Sequence, residues 1–254
     1  MKRFNNEATQ LKESVFSTIT QLSIKHQAIN LAQGFPDFEG PEWLLDLASK
    51  ALYLEKNQYA PSYGILPLRE AISRVYNDQY GLNYNPANEI LVTNGATEAI
   101  YCTIRALVNP GDEVVAFEPL YDSYGAAVDL CKGVLKPVTL KLPDYKFDVE
   151  ELLSKVSDQT KLLILNNPHN PTGRVFTPAE LKLIAELAVK HDFYILSDEV
   201  YEFLSFENHF KPTATLEGLR ERVITISSVG KTFSLTGWKV GWVCAPAEIT
   251  KVIH

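Results

Sequence analysis

The chain has 254 residues, of which 46% are hydrophobic, and this is enough to build one large core. Its formal net charge is −7, with 24 basic and 31 acidic residues and no long basic block, so we expect no nucleic-acid partner. No apolar run reaches membrane-spanning length, and the five histidines lack metal-ligand spacing, so we expect neither a membrane nor a metal partner. The three well-separated cysteines favour reduced thiols, and the N-terminus has no signal-peptide pattern, so we expect a cytoplasmic protein.

The first part of the chain is predicted to differ from the rest. Thr9–His26 has the apolar spacing of one amphipathic helix, and residues 28–38 are predicted to be extended and to end in a turn. Glu42–Leu54 and Leu68–Tyr80 are predicted as further helices. We assign residues 1–40 to an N-terminal arm and part of a small domain, and residues 41–254 to a large domain.

From residue 89 onward, strands and helices alternate along the sequence. The predicted strands are Glu89–Thr93, Glu113–Phe117, Lys161–Leu165, Phe193–Leu196, Val223–Ile226 and Val240–Cys244. The predicted helices between them are Thr97–Val108, Asp122–Cys131 and Pro178–His191. This order is typical of an α/β protein in which a mostly parallel sheet lies between two layers of helices.

The last nine residues are predicted to begin another helix. Ile249, Val252 and Ile253 start an apolar face, but the chain ends without a helix stop signal. We therefore expect the packing partners of these three side chains to be missing and the side chains to form an exposed apolar patch.

Polar or glycine-containing clusters follow five of the predicted strands. They are Asn94–Glu98, Glu118–Asp122, Asn166–Gly173, Ser197–Tyr201 and Ser227–Thr232. Each cluster alone has an ordinary alternative, such as a helix start, a capping aspartate, a plain loop or a surface lysine. Ligands bind at the carboxyl ends of strands in open parallel sheets. Together, the clusters therefore place a lysine, an acid, an asparagine, two tyrosines and free helix N–H groups around one crevice. Pyridoxal 5′-phosphate (PLP) chemistry requires this set of groups.

The Gly230-Lys231-Thr232 sequence also raises the alternative of a nucleotide-binding phosphate loop. Such a loop needs a glycine five residues before Gly230, and Thr225 occupies that position. Residues 233–237 are predicted to form a loop where a helix should continue. The sequence therefore does not support a phosphate loop.

Several stretches resemble fold-type I PLP-dependent aminotransferases of class I/II. They are QYAPSYGILPLREAI (58–72), TNGATEAI (93–100), NPHNPTG (167–173), SDEVY (197–201) and SSVGKTFSLTGWKVGW (227–242). The stretch AINLAQGFPDFEGP (28–41) is similar to the branch of kynurenine/glutamine and bacterial methionine aminotransferases. The resemblance implies the three-layer α/β/α PLP-transferase fold. It also implies a PLP-binding large domain truncated at its C-terminal end and a C-terminal small domain missing from this sequence.

The resemblance also implies which residues carry the chemistry. Lys231 would hold the cofactor as a Schiff base and act as the proton-transfer base, which requires a neutral amine. Asp198 would pair with the pyridine nitrogen and keep it protonated. Asn170 and Tyr201 would donate hydrogen bonds to the ring 3′-oxygen. Tyr121 would stack on the face of the ring.

Further residues are implied at the phosphate and at the substrate. The phosphate would be held by Gly95, Ala96, Thr97, Ser228 and Lys239, with Tyr59 reaching it from the partner subunit of a homodimer. Many relatives have arginine in place of Lys239, and lysine keeps the charge but loses the two-pronged geometry. Gly34 and Asn170 would lie beside the substrate.

The implied reaction moves an amino group from a large neutral amino acid, such as methionine, glutamine, an aromatic residue or kynurenine, to a 2-oxo acid. Carbon–sulfur β-elimination on the same fold and a non-catalytic or incomplete protein remain alternatives. The family takes its carboxylate-binding arginine from the small domain. No arginine here lies in a matching motif: the candidates are Arg69, Arg74, Arg105 and Arg174. We therefore expect this chain to bind PLP but to transaminate poorly.

Overall fold

Eight strands form one sheet in the computed structural model, which describes residues 2, 4–11, 13–34, 36–54, 56–206 and 210–254. The strands are β1 (Ile90–Thr93), β2 (Glu113–Glu118), β3 (Val134–Lys141), β4 (Lys146–Phe147), β5 (Thr160–Asn166), β6 (Tyr194–Asp198), β7 (Val223–Ser228) and β8 (Gly241–Cys244). Their order across the sheet is β1-β8-β7-β6-β5-β2-β3-β4. Strands β7, β6, β5, β2 and β3 run parallel, whereas β8 is antiparallel to both of its neighbours. The predicted mostly parallel sheet is confirmed.

Helices cover both faces of this sheet, as predicted. In chain order, the helices in the described part of the chain are α1 (Val15–His26), α2 (Glu42–Tyr53), α3 (Leu66–Tyr80), α4 (Ala96–Leu107), α5 (Asp122–Leu130), α6 (Val149–Lys155), α7 (Pro178–Lys190), α8 (Val229–Thr232) and α9 (Ala247–Ile253). No helix within the described ranges is long and apolar enough to cross a membrane. Helix α7 illustrates a sequence-encoded start, because Thr177 and Glu180 form a capping box and Pro178 occupies the first turn.

The two helical layers pack on opposite faces of each central strand. In β5, Leu163 and Leu165 join the apolar core under α3, α6 and α7, whereas Leu162 and Ile164 join the core under α4, α5 and α9. Successive side chains of a strand point to opposite faces, so a continuous apolar run fills both cores. This arrangement confirms the three-layer fold.

The N-terminal region packs far less tightly than the sheet. Among the described residues up to 60, only Gly40 is buried, and a Cβ atom there would lie 2.4 Å from a methyl carbon of Leu235. The prediction of a single helix over Thr9–His26 is wrong. A short turn of 3₁₀ helix covers Ala8–Gln10, and α1 begins only after Ser14, whose hydroxyl accepts a hydrogen bond from the Phe16 N–H at 3.3 Å. The domain boundary at residue 40 stays a prediction.

Residues 134–155 contain three elements that the sequence did not predict, namely β3, β4 and α6. Pro137 lies in the middle of β3 and has no N–H group, which argues against a central strand. Strand β4 pairs only with Leu140 and Lys141, so β3 is open to one side at Pro137. An edge position tolerates the missing donor.

The expectation of an exposed apolar patch on the C-terminal helix is only partly right. Ile249 and Ile253 are each only 7% exposed and pack in the same core as α4, whereas Val252 is 61% exposed. Burial of a side chain of this size contributes about 1.5–3 kcal/mol. The expectation was wrong for two of the three residues because α4 supplies the apolar neighbours that the sequence could not place.

Candidate active site

A cavity of about 580 Å³ opens where β5, β6 and β7 end. It brings together eleven of the twelve residues that the sequence placed at the site: Gly34, Gly95, Ala96, Thr97, Tyr121, Asn170, Asp198, Tyr201, Ser228, Lys231 and Lys239. The twelfth, Tyr59, lies outside this cavity and is fully exposed. The parallel strands explain the convergence, because their carboxyl ends meet at one edge of the sheet.

Asp198 is the last residue of β6 and is only 4% exposed. The Tyr124 hydroxyl donates to its Oδ2 atom at 2.6 Å, and the Val200 N–H donates to its Oδ1 atom at 3.3 Å. Burial raises the pKa of this carboxyl to about 6, while the two donors and the Lys231 cation act in the opposite direction. A further cation placed beside Asp198 would therefore favour its ionised form.

Lys231 lies on the short helix α8, which follows β7 directly. Its pKa is lowered by burial, and the nearby Asp198 carboxylate opposes this shift. The Nζ atom lies 5.6 Å from the centre of the Tyr201 ring, within the range of a cation–π contact. A lowered pKa makes the neutral, nucleophilic amine easier to reach at physiological pH.

The turn after β5 is fixed to the end of β6 by an asparagine that the sequence did not single out. The Asn166 side chain donates to the Asp198 carbonyl at 3.0 Å and accepts from the Asn170 N–H at 2.6 Å. The Asn167 N–H donates to the same Asp198 carbonyl at 3.0 Å. Asn166 therefore sets the position of Asn170 relative to Asp198.

Tyr124 is the second site residue that the sequence did not single out. It lies three residues after Tyr121, and the centres of the two rings are 5.6 Å apart at 82°. Residues three apart share a helix face, so this spacing could have indicated that both tyrosines point toward one place. The contact between Tyr124 and Asp198 spans 74 positions and could not be inferred from spacing.

Free backbone N–H groups and a lysine side chain meet where α4 begins. Gly95 precedes the helix with φ +80°, and no side chain caps the free N–H groups of the first turn. The Lys239 side chain lies alongside, because a Cβ atom on Gly95 would be 3.5 Å from its Nζ atom. Gly241 of β8 lets its backbone lie close to that of Gly95, since a Cβ atom on Gly241 would lie 2.6 Å from the Gly95 carbonyl carbon. Free N–H groups and an ammonium together favour a phosphate.

These groups fit PLP. The uncapped start of α4 beside Lys239 suits the phosphate, the buried Asp198 carboxylate suits a pyridinium nitrogen, and the Lys231 amine suits an aldehyde carbon. The roles of the individual residues stay predictions, whereas their placement around one cavity is a feature of the fold.

The opposite wall of the cavity comes from the N-terminal region. Phe16 and residues 31–34 line it, and the Phe16 ring centre lies 6.5 Å from that of Tyr121. Of these residues, the sequence singled out only Gly34. A Cβ atom on Gly34 would meet nothing within 4 Å, so packing does not explain this glycine.

None of the residues that line the cavity in the described part of the chain is an arginine. Arg69 is buried and donates to the carbonyls of Gly64 and Ala87 at 3.0 and 3.1 Å. Arg174 pairs with Glu180 at 2.5 Å. Both arginines are therefore held by partners within the fold, and neither lies in the cavity.

The sequence also compares well with known proteins. The model of the family "Aminotransferase class I and II" matches residues 26–253. The chain is 43% identical over 247 residues to methionine aminotransferase of Escherichia coli (strain K12), covering 96% of this chain and 64% of that protein. It is 41% identical over 269 residues to kynurenine–oxoglutarate transaminase of Dictyostelium discoideum, covering 98% of this chain and 62% of that protein.

The fold matches solved structures as closely. N-succinyldiaminopimelate aminotransferase from Mycobacterium tuberculosis has a TM-score of 0.94 and 41% identity, over 99% of this chain and 66% of that one. The chain therefore spans between 62% and 66% of the length of these three relatives. Since the family match extends over nearly the whole chain, the chain belongs to the aminotransferase class I and II family.

Proposed function

We propose that the protein is a PLP-dependent aminotransferase that moves an amino group from a large neutral amino acid to a 2-oxo acid. Class I and II aminotransferases of this fold use PLP. The observation that carries the proposal is the meeting of Lys231, Asp198 and the uncapped start of α4 in one cavity. Relatives named for methionine and kynurenine support the range of donors, which also includes glutamine and aromatic amino acids.

Lys231 has the central role in this proposal. When bound, PLP supplies an electron sink for the pair released at the substrate α carbon. The Lys231 Nζ atom would hold the cofactor covalently, and once free it would take the proton from the substrate α carbon and deliver it to the cofactor. Both tasks need the neutral amine, which burial favours by lowering the pKa.

Asp198 keeps the ring nitrogen protonated, and this charge strengthens the electron sink. Tyr124 fixes one carboxylate oxygen of Asp198 by its hydroxyl. Asn170 and Tyr201 would donate hydrogen bonds to the ring 3′-oxygen, and Tyr121 would stack on the ring. Each of these side chains lines the cavity, and this placement supports the assignment.

Phosphate binding and assembly complete the proposal. The N–H groups and side chains at the start of α4 bind the phosphate, together with Ser228 and Lys239. Tyr59 is supplied by the partner subunit of a homodimer. The full exposure of Tyr59 and the exposed apolar side chains of Trp43 and Leu47 on α2 support such an interface. The cytoplasmic location stays a prediction.

The test follows the cofactor and the products together. The chain is loaded with PLP and mixed separately with methionine, glutamine and kynurenine, while the cofactor absorbance and the 2-oxo acid formed are measured. Because no arginine lines the cavity in the described part of the chain, we expect a slow loss of the aldehyde form of the cofactor, with one 2-oxo acid formed per cofactor, and neither in Lys231→Ala. Pyruvate and ammonia from a cysteine conjugate, without amino-group transfer, would show elimination instead. No PLP binding at all would contradict both reactions.

A further inference from the structure

Behind the cavity, on the other face of the sheet, lie two buried acids that the proposed reaction does not use. Glu199 directly follows Asp198 and is 0% exposed, and Glu202 is 6% exposed. The part of the chain that the structure describes offers neither acid a salt bridge or a hydrogen bond from a cation. Burial without a cation penalises the charged form of an acid and favours the neutral form.

The hydrogen bonds of Glu199 are concentrated on one oxygen. Its Oε1 atom accepts from the Thr213 N–H at 2.9 Å and from the Ser197 hydroxyl at 2.7 Å. Its Oε2 atom is buried and has no partner among the described residues. A proton on Oε2 removes the charge that this oxygen would otherwise carry without a donor.

Glu202 links the same segment to the neighbouring strand. Its Oε1 atom accepts from the Ser227 hydroxyl at 2.7 Å, and its Oε2 atom accepts from the Tyr80 hydroxyl at 3.1 Å. The backbone adds to the connection, since the Glu199 N–H donates to the Ile226 carbonyl at 2.8 Å. The Glu202 side chain therefore joins the segment after β6 to β7 and α3, while the Glu199 side chain joins the end of β6, which carries Asp198, to Thr213.

We propose that Glu199, held in the neutral form, and Glu202 are positioning residues that hold the end of β6 and the segment after it in place for cofactor binding. The acids touch neither substrate nor cofactor. They act through their neighbours in the chain, because Asp198 directly precedes Glu199, Tyr201 directly precedes Glu202, and Lys231 follows Ser227 by four positions. The inference rests on the proposed function, since the ligand whose affinity it concerns is PLP.

The surroundings of the acids oppose ionisation. The other titratable groups near them are Tyr76 and Tyr80 from α3, Tyr84 from the following loop and Cys244 from β8, and burial raises the pKa of each. Arg220 lies over the Tyr84 ring at 4.2 Å and pairs with Glu89 at 3.0 Å. Asp198 points to the opposite face.

Burial raises the pKa of Glu199 to about 8 and that of Glu202 to about 7. The Glu202 charge contributes to the shift at Glu199, so the two acids titrate together. Mildly alkaline pH therefore puts negative charge at an oxygen with no donor. We expect this charge to move the end of β6 and to weaken PLP binding.

The experiment compares the pH dependence of PLP affinity in Glu199→Gln and in the parent chain between pH 6.5 and 9.5, by equilibrium dialysis. The cofactor itself titrates in this range, so the measured quantity is the ratio of the two dissociation constants. We expect the parent to lose about tenfold affinity relative to the variant between pH 7 and 9, because about one Glu199 in ten stays neutral at pH 9. The exposed Glu217→Gln control should follow the parent.

The Glu202→Gln variant and a measurement of thermal unfolding separate a positioning role from a merely structural one. Glu202→Gln removes the other acid and should shift the alkaline loss in the same direction, which covers the case that Glu199→Gln does not fold. A merely structural role would change thermal unfolding but leave the PLP profiles parallel. Normal PLP binding with parallel profiles for both variants would overturn this inference alone. No PLP binding by the parent at any pH would overturn the proposed function and this inference with it.

Discussion

Asp198 and Glu199 are neighbours in the chain, yet they lie on opposite faces of the sheet and in different electrostatic surroundings. Both are buried, with 4% and 0% of their surface exposed. Asp198 has donors on both oxygens and the Lys231 cation nearby, and its pKa is raised only to about 6. Glu199 has donors on one oxygen and no cation partner among the described residues, and its pKa is raised to about 8. Because the two acids are buried alike, their hydrogen-bond donors and neighbouring cations decide which of them carries charge.

The largest effect is expected from removing the cation on the cavity face. Lys231→Ala should abolish the covalent link to PLP completely, because the other lysine in the cavity, Lys239, lies at the start of α4. The measurement is borohydride reduction followed by peptide mapping, with the exposed Lys190→Ala as control. Label at Lys239 or elsewhere in the parent chain would refute the assignment of Lys231.

Asp198→Asn removes the charge but keeps the size of the side chain. We expect PLP still to bind, while exchange of the methionine α proton slows by at least about a hundredfold, because an amide cannot stabilise a positive ring nitrogen. Deuterium incorporation at the α carbon measures this by NMR. Exchange at the rate of the parent would contradict the role of Asp198.

Tyr124→Phe removes one donor from Asp198 and makes its surroundings more like those of Glu199. The pKa of Asp198 should rise above about 6. We expect PLP affinity at pH 7 to fall about tenfold or more, since a hydrogen bond to a charged group contributes about 1.5–3 kcal/mol. The loss should grow as the pH falls, because more Asp198 is then protonated. The half-exposed Tyr101→Phe on α4 is the control, and an equal loss there would argue against a specific donor.

The pH dependence of the free energy of unfolding tests whether Glu199 is neutral in the folded chain. The pKa of Glu199 in the folded chain is raised above its usual value of about 4.5, so the folded state binds the proton more tightly than the unfolded state. Its contribution is fully present at low pH and is lost as the pH rises toward about 8. Between about pH 5 and pH 8, where Glu199 is ionised in the unfolded chain but still protonated in the folded chain, the free energy of unfolding of the cofactor-free chain should fall by up to about 1.4 kcal/mol per pH unit and per proton. Glu199→Gln should flatten this slope in urea unfolding, and an unchanged slope would mean that Glu199 is already ionised.

The smallest effect is expected from trimming the same network. Ser227→Ala removes the hydroxyl that donates to Glu202, so the pKa of Glu202 should rise above about 7. The free energy of unfolding at pH 7 should fall by about 1 kcal/mol, as is usual for one hydrogen bond. Ser154→Ala is the matched control, because its hydroxyl bonds only to the Glu151 carbonyl on the surface. Equal losses in the two variants would mean that Ser227 does not support Glu202.

The predicted strands and helices near the site were correct to within a few residues, because period, caps and turn residues are local signals. The exceptions have physical causes. Strands β6 and β7 continue through Asp198 and Ser228, two residues beyond the predicted ends, because neighbouring strands supply backbone partners to polar residues. Pro137 concealed β3, whose edge position becomes evident only once the sheet is assembled.

The alternation of strands and helices follows from the amino-acid sequence by itself, since period, caps and turn residues are local signals, and this order predicts the parallel sheet and the edge at which the candidate site residues converge. The tertiary structure decided the rest. It placed Tyr124 on Asp198 across 74 positions and Asn166 on the same residue across 32, and it buried Ile249 and Ile253 against α4. It also put Asp198 and Glu199 on opposite faces with different partners. The charge of a buried acid depends on atoms that are distant in sequence, and only the folded chain brings them within hydrogen-bonding distance.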